Sequence, residues 1–206
     1  MSVDRKTQGL MVDKKWLRAS GRRQRQTMPE YSRQHAAIAL ANQLQGLPEF
    51  RMAGIVGIYM ASDGEIDLGP SMKWCWENQI QTCVPIVQSQ TKILRFSPIG
   101  KDTPLFNNRL GILEPKVKEG ETLGIDRLQL LLLPLVAFDD DGNRLGMGGG
   151  FYDTTLKANQ EAGGRQPLRI GVAHELQRVE KIVPDPWDIP IDMVVTDRCI
   201  RQFPKT

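Results

Sequence analysis

Leu131-Leu132-Leu133-Pro134-Leu135-Val136-Ala137-Phe138 runs into Asp139-Asp140-Asp141-Gly142-Asn143-Arg144-Leu145 and then Gly146-Met147-Gly148-Gly149-Gly150-Phe151-Tyr152-Asp153. The first part is continuously apolar rather than alternating, as expected of a central strand buried on both faces. An acidic turn follows, then one arginine, then four glycines within five positions. Glycine at that density lets backbone N–H groups approach an anion without side chains in the way. A helix is expected from about Tyr152 to Glu161, so the loop also lies at a helix N-terminus, which favours anions. Phosphate binding is the functional reading of the loop; a tight turn without ligand is the alternative.

Outward from this stretch, strands alternate with helices. Asp13 is placed to cap a helix over Lys14–Thr27, and Pro29 to start a second one that stops at Gly46. Gly54–Met60 reads as a buried strand, followed by the turn Ser62-Asp63-Gly64 with Glu65 just beyond. Pro70 begins a helix carrying Trp74 and Trp76, both read as structural. Cys83–Val87, Ile93–Phe96, Leu128–Phe138, Leu168–Ala173 and Met193–Thr196 are the other strands. Ser97–Thr122 is rich in Pro, Lys and Gly and is expected to be a long loop with short extended pieces. The pattern predicts an α/β fold with a largely parallel central sheet over all of residues 1–206 as a single domain. In such sheets ligands sit outside the carboxyl ends of the strands, where the glycine loop falls.

Composition narrows the classes. With 40% hydrophobic and 25% charged residues among 206, the chain can bury a core and disorder is not expected. The longest apolar run is too short to cross a bilayer, and no leader is visible in Met1–Trp16, so a soluble, cytoplasmic protein is expected. Cys75, Cys83 and Cys199 have no metal-type spacing, and only His35 and His174 are present, which excludes a multi-histidine metal site. Any metal would be a hard cation on carboxylates and phosphate oxygens. The net charge of +3 is uneven: residues 1–33 hold nine Lys/Arg, including Arg5 and Lys6, against three acids, giving +6, so the remainder is −3. A basic N-terminal helix binds nucleic acid or phosphate, or is simply solvated.

The glycine loop lacks the lysine of a P-loop, and Phe151 stands where a dinucleotide fingerprint needs its third glycine. The whole constellation instead resembles the 5-formyltetrahydrofolate cyclo-ligase (5,10-methenyltetrahydrofolate synthetase) family. Four motifs carry the resemblance along nearly the whole chain: Lys14-Lys15-Trp16-Leu17-Arg18, Ser62-Asp63-Gly64-Glu65-Ile66-Asp67, the stretch from Pro134 to Asp153, and Pro184-Asp185-Pro186-Trp187-Asp188-Ile189-Pro190. Two positions depart from it: Phe151, where many members have Tyr, and Gly149, where some have Lys.

The resemblance implies a three-layer αβα fold of the kind shared with sugar-phosphate isomerases and CoA transferases. It also implies ATP-driven ring closure of a reduced folate, with Mg²⁺, and a monomer that needs neither nucleic acid nor membrane. Arg144 and Tyr152 are then the catalytic candidates. Lys14, Arg18, Arg144, Leu145, Gly146, Met147, Gly148, Gly149, Gly150, Phe151 and Tyr152 are the ATP-binding candidates. Lys14 and Arg18 are four apart and share one helix face, so they can converge on one anion. Met60, Glu65, Met147 and Phe151 are the folate-binding candidates, Glu65 because a carboxylate accepts two bonds from adjacent pterin N–H groups. Asp153 and Asp188 are the Mg²⁺ candidates. Each has a bland alternative: a solvated basic face for Lys14 and Arg18, helix-dipole pairing for Asp153, and turn residues for Glu65 and Asp188. Two rival functions stay open: another α/β enzyme taking a phosphorylated sugar or CoA, and a nucleic-acid-binding module using the basic N-terminus.

Overall fold

In the computed structural model, which describes residues 13–88, 90–108, 111–117 and 120–204, the apolar run forms the middle of a seven-stranded sheet. Arg5 and Lys6 lie outside the described residues. The elements are α1 (Lys14–Gln26), α2 (Glu30–Gly46), α3 (Pro48–Arg51), β1 (Ile55–Gly57), α4 (Gly69–Glu77), β2 (Gln81–Ile86), β3 (Arg95–Ile99), β4 (Leu105–Asn107), β5 (Leu113–Pro115), β6 (Leu130–Pro134), β7 (Ala137–Phe138), β8 (Arg144–Leu145), α5 (Phe151–Glu161), β9 (Leu168–Ala173), β10 (Met193–Thr196) and β11 (Ile200–Gln202). The sheet order is β11-β10-β9-β6-β1-β2-β3. The five strands from β10 to β2 are parallel, and β3 and β11 pair antiparallel at the two edges.

Alternate residues of β6 face different layers, as the period of two demands. Leu130 and Leu132 pack with Leu40, Leu44 and Phe50 from α2 and α3 and with Met72 of α4. Leu131 and Leu133 pack with Phe96, Val194 and Leu156 of α5. Helices therefore cover both faces, and the expected three-layer αβα arrangement is present. Each of these fully buried side chains contributes roughly 1.5–3 kcal/mol by leaving water. The pairs Phe50–Trp74, with rings stacked 5.5 Å apart, and Trp76–Thr82, hydrogen-bonded at 2.8 Å, confirm structural roles for both tryptophans.

Three expectations need correction. The run Leu128–Phe138 is not one strand. Pro134 supplies no N–H, the Leu135 N–H still donates to Val172, and the Val136 N–H turns to the Leu145 carbonyl. Ala137 and Phe138 then pair with Leu145 and Arg144 in a separate hairpin. The strand expected over Gly54–Met60 is confined to Ile55–Gly57, and the helix after the glycine loop begins at Phe151. The region expected to be a long loop with short extended pieces is as expected: β3 runs on to Ile99, and the three-residue strands β4 and β5 pair as a second hairpin.

Candidate functional site

Helix α1 is built to lie across the carboxyl end of β6. The Asp13 carboxylate accepts from the Lys15 N–H at 2.9 Å and fixes its start. Leu17 packs with Ala137, Leu145 and Ile182. A Cβ on Gly21 would stand 2.3 Å from the Val136 carbonyl oxygen, so only glycine allows this approach. The same face carries three cations to three places. Lys14 donates to Asp185 at 2.7 Å and to Asp188 at 2.9 Å. Arg18 donates to the Gly146 carbonyl at 3.0 Å. Arg25, fully buried, donates to the Leu135 carbonyl at 3.2 Å and to the Asp63 carboxylate at 2.9 Å. Burial works against the Lys14 charge, but its two carboxylates outweigh it and hold the pKa above the ordinary lysine value.

The acidic stretch 139–143 is the turn of the β7–β8 hairpin. Asp139 is fully buried and accepts from the N–H groups of Asp141, Asn143 and Ile182 and from the Asn143 amide, so its charge is met by donors on every side. The hairpin delivers Arg144 to Asp153, with Nη2 donating to Oδ1 at 2.7 Å. Arg144 is 8% exposed and its Nε is buried without an acceptor among the described residues. Asp153 Oδ1 also accepts from the Ile189 N–H at 3.1 Å, which draws the segment carrying Asp188 alongside the first turn of α5. Lys14, Asp188, Asp153 and Arg144 thus form one connected network around the loop.

The loop itself is open. Gly148 and Gly150 have φ of +93° and +73°, a region that side-chain-bearing residues enter only with strain. Among the described residues, no N–H from Gly146 to Gly150 donates to a protein acceptor. Those donors face solvent at the start of an 11-residue helix, which is the physical requirement for an anion cradle. Arg18 lies along the loop, its Nε 3.6 Å from where a Cβ on Gly148 would be.

On the other side of Arg25 is the turn after β1. Asp63 and Gly64 both have positive φ and the Glu65 N–H donates to the Ser62 carbonyl at 2.9 Å, the signature of a tight type I′ turn. Glu65 is 9% exposed, accepts from the Ser62 N–H at 3.1 Å and stands 3.6 Å from the Arg25 guanidinium. Burial pushes its carboxyl above the ordinary glutamate value, and Arg25 offsets only part of that. Asp63 is the opposite case. Hydrogen bonds from Arg22 above all, and from Arg25 and Gln26, hold its carboxyl well below the usual range against the pull of desolvation. Burial also raises the phenols of Tyr59 and Tyr152, with the Glu65 charge adding to both.

The structure brings Lys14, Arg18, Arg144, Asp153, Asp188 and the loop Gly146–Gly150 together at one end of the sheet. Met147, half-exposed, bridges toward the Glu65 side, with its sulfur 3.6 Å from Arg25. Phe151 and Tyr152 are half-buried against the α5-side core, and Met60 packs against the other core. Leu145 is buried with Leu17 and presents no side chain to the loop. Asp153 and Asp188 each face a cation, and no group of three or more His, Cys, Asp or Glu is placed to hold a metal among the described residues. Two carboxylates beside a loop of free N–H donors are nonetheless of a chemistry that fits Mg²⁺, a hard cation that takes few protein carboxylates and keeps several waters. Sequence reasoning missed Arg25 and Asp185. Arg25 follows Arg18 by seven residues and so shares its helix face, the signal that was available.

A three-layer α/β fold with an open glycine loop and a paired-charge network at the carboxyl end of its sheet is the architecture of an α/β enzyme with a site at that end. The model of the 5-formyltetrahydrofolate cyclo-ligase family matches residues 10–197, and the chain belongs to that family. It is 37% identical over 176 residues to the 5-formyltetrahydrofolate cyclo-ligase of Escherichia coli K12, covering 85% of this chain and 95% of that one. The protein of the same name from Haemophilus influenzae is 34% identical, covering 85% and 92%. The solved 5,10-methenyltetrahydrofolate synthetase of Aquifex aeolicus superposes with a TM-score of 0.78 at 30% identity, covering 94% of each chain. One from Mycoplasma pneumoniae, 23% identical, agrees in fold with a TM-score of 0.72 over 90% of this chain and 99% of that one. Family membership removes the sugar-phosphate, CoA and nucleic-acid readings as leading functions.

Proposed function

We propose that the chain closes 5-formyltetrahydrofolate to 5,10-methenyltetrahydrofolate at the expense of ATP, binding the triphosphate on Gly146–Gly150 and the folate beside Glu65. The observation that carries this reading is the convergence of a free N–H cradle with Lys14, Arg18 and Arg144 at one end of the sheet. The formyl oxygen on N5 attacks the γ-phosphorus, the bond from that phosphorus to the bridging oxygen breaks, and ADP leaves. N10 then attacks the activated formyl carbon, the carbon–oxygen bond breaks, phosphate departs, and N10 loses its proton. Phosphoryl transfer asks the protein chiefly for alignment and charge neutralisation.

In this reading the loop amides take the phosphate oxygens, and the acceptor-free Nε of Arg144 meets the developing charge on the transferred group. Lys14 and Arg18 hold the remaining phosphates. Asp153 and Asp188 hold Mg²⁺, which when bound neutralises phosphate charge. Glu65 accepts from the pterin edge, and Phe151, Tyr152, Met60 and Met147 supply the walls. These assignments predict that purified protein with ATP, Mg²⁺ and 5-formyltetrahydrofolate develops the near-ultraviolet absorbance of the methenyl product. No turnover at saturating ATP and Mg²⁺ would reject the reaction, and turnover independent of nucleotide would reject the phosphorylation step.

A further inference from the structure

The cations of the loop network are largely spoken for. Lys14 faces two carboxylates, Arg144 one, and Arg18 a carbonyl. Counting Lys14, Arg18 and Arg144 against Asp153, Asp185 and Asp188, the local formal charge is 3 − 3 = 0. Mg²⁺ on Asp153 and Asp188 would supply part of the positive charge that a triphosphate needs there, and a cation not already paired would add to it. One lysine is such a cation. A Cβ on Gly150 would stand 4.0 Å from Lys92 Nζ. Lys92 is exposed, and among the described residues it has no hydrogen-bond or ion-pair partner.

Its position is set by the fold rather than by a free loop. β2 is parallel to β1, so the β2–β3 connection emerges at the same carboxyl edge as the glycine loop. Two residues after Lys92, the buried Leu94 N–H donates to Thr155 Oγ1 at 2.9 Å. Thr155 Oγ1 in turn donates to the Phe151 carbonyl at 2.7 Å. The connection is thus pinned to the first turns of α5, and the lysine is held over the N-terminal end of that helix.

We propose that Lys92 is a phosphate-binding residue of the nucleotide site, closing over the glycine loop to pair with the terminal phosphate of ATP. The proposal rests on the ATP reading above. A flexible ammonium suits this role, since it reaches a phosphate as a point charge without needing a fixed fork geometry. Because it is unpaired beforehand, its charge adds to binding without first breaking a protein ion pair.

The test compares wild type with Lys92→Met and Lys92→Arg, using titration calorimetry with ADP and a non-hydrolysable ATP analogue, and steady-state kinetics. Lys92→Met is expected to raise the ATP KM and the analogue Kd about tenfold, with ADP affinity and folate KM near wild type. Lys92→Arg is expected to restore most of the loss. Unaltered analogue affinity in Lys92→Met would overturn the proposal and make Lys92 a solvated surface charge, as would equal losses for ATP and folate. Wild type that binds no ATP analogue at all would instead reject the nucleotide reading itself, and this outcome is read on the unmutated protein. Thermal melts within about 1 °C of wild type are expected for both variants, because among the described residues Lys92 has no hydrogen-bond or ion-pair partner; a substantial drop would show a structural role and overturn the assignment.

Discussion

The glycine-loop half of the site and the Glu65 half are built on opposite principles, though α1 serves both. At one end of that helix Lys14 and Arg18 reach an open surface where N–H groups stand without acceptors and charges sit in exchangeable pairs. Eleven residues on, about 16 Å along the axis, Arg25 is sealed among Asp63, Glu65, Leu135 and Met147. The first half is arranged to receive charge from solution. The second is fixed before any ligand arrives. Removing one partner of a buried pair costs much stability, whereas an exposed pair contributes little to it.

That contrast is broken most forcefully at Arg25. Arg25→Met should cost about 3–5 kcal/mol of folding stability, because it leaves the buried Glu65 carboxylate beside an apolar side chain without its cation, while Asp63 keeps Arg22 and Gln26. Denaturant unfolding measures it, and a loss under about 1 kcal/mol would mean that the pair is as loose as a surface bridge. Arg144→Ala should show its largest effect in catalysis instead. Its expected loss is on the order of 10²–10³-fold in kcat/KM for ATP, the range for removing a donor aimed at transition-state charge. Unchanged ATP kinetics would remove Arg144 from the chemistry. A smaller effect is expected at Gly148, where φ of +93° makes Ala cost roughly 1–2 kcal/mol of strain. The expected readout is a higher ATP KM with folate KM unaffected, and a rise in both would show that the loop is shared more evenly.

The same contrast explains what could be read in advance. The αβα fold was legible because Leu130–Leu133 is apolar at both parities and therefore buried on both faces. The glycine loop and its charged neighbours were legible because they cluster in short segments with recognisable spacing. The break at Pro134 was not, because Leu135–Phe138 stays apolar in the hairpin and only the hydrogen bond from Val136 to Leu145 shows where the strand ends. Arg25 was hidden for a related reason. A basic residue in a basic run reads as solvated, and its partner Asp63 is 38 positions away, a distance no local pattern encodes.

The subtlest prediction separates two carboxylates within one turn. Asp63 has its pKa lowered, chiefly by hydrogen bonds from Arg22 and Arg25, so its contribution to stability is present above its unfolded value of about 3.9 and is lost as pH falls through the lower folded value. Glu65 has its pKa raised, chiefly by burial. Its contribution is fully present below its unfolded value and is lost as pH rises through the higher folded one. Asp63→Asn should therefore be most costly near neutrality, with the cost shrinking toward acid. Glu65→Gln should gain stability relative to wild type as pH rises from about 4 to 7. Thermal melts from about pH 2 to 7 give the two slopes, that of Asp63→Asn below about pH 4 and that of Glu65→Gln above it, and slopes of the same sign would show that burial does not govern Glu65. Folate binding supplies the functional counterpart, since a carboxylate kept partly protonated is a poorer acceptor for the pterin edge. Wild-type folate KM should fall as pH rises through the raised pKa, while Glu65→Gln should have a higher KM that is flat with pH. A pH-dependent folate KM surviving in Glu65→Gln would place the titrating group elsewhere and leave Glu65 as a turn residue held down by Arg25.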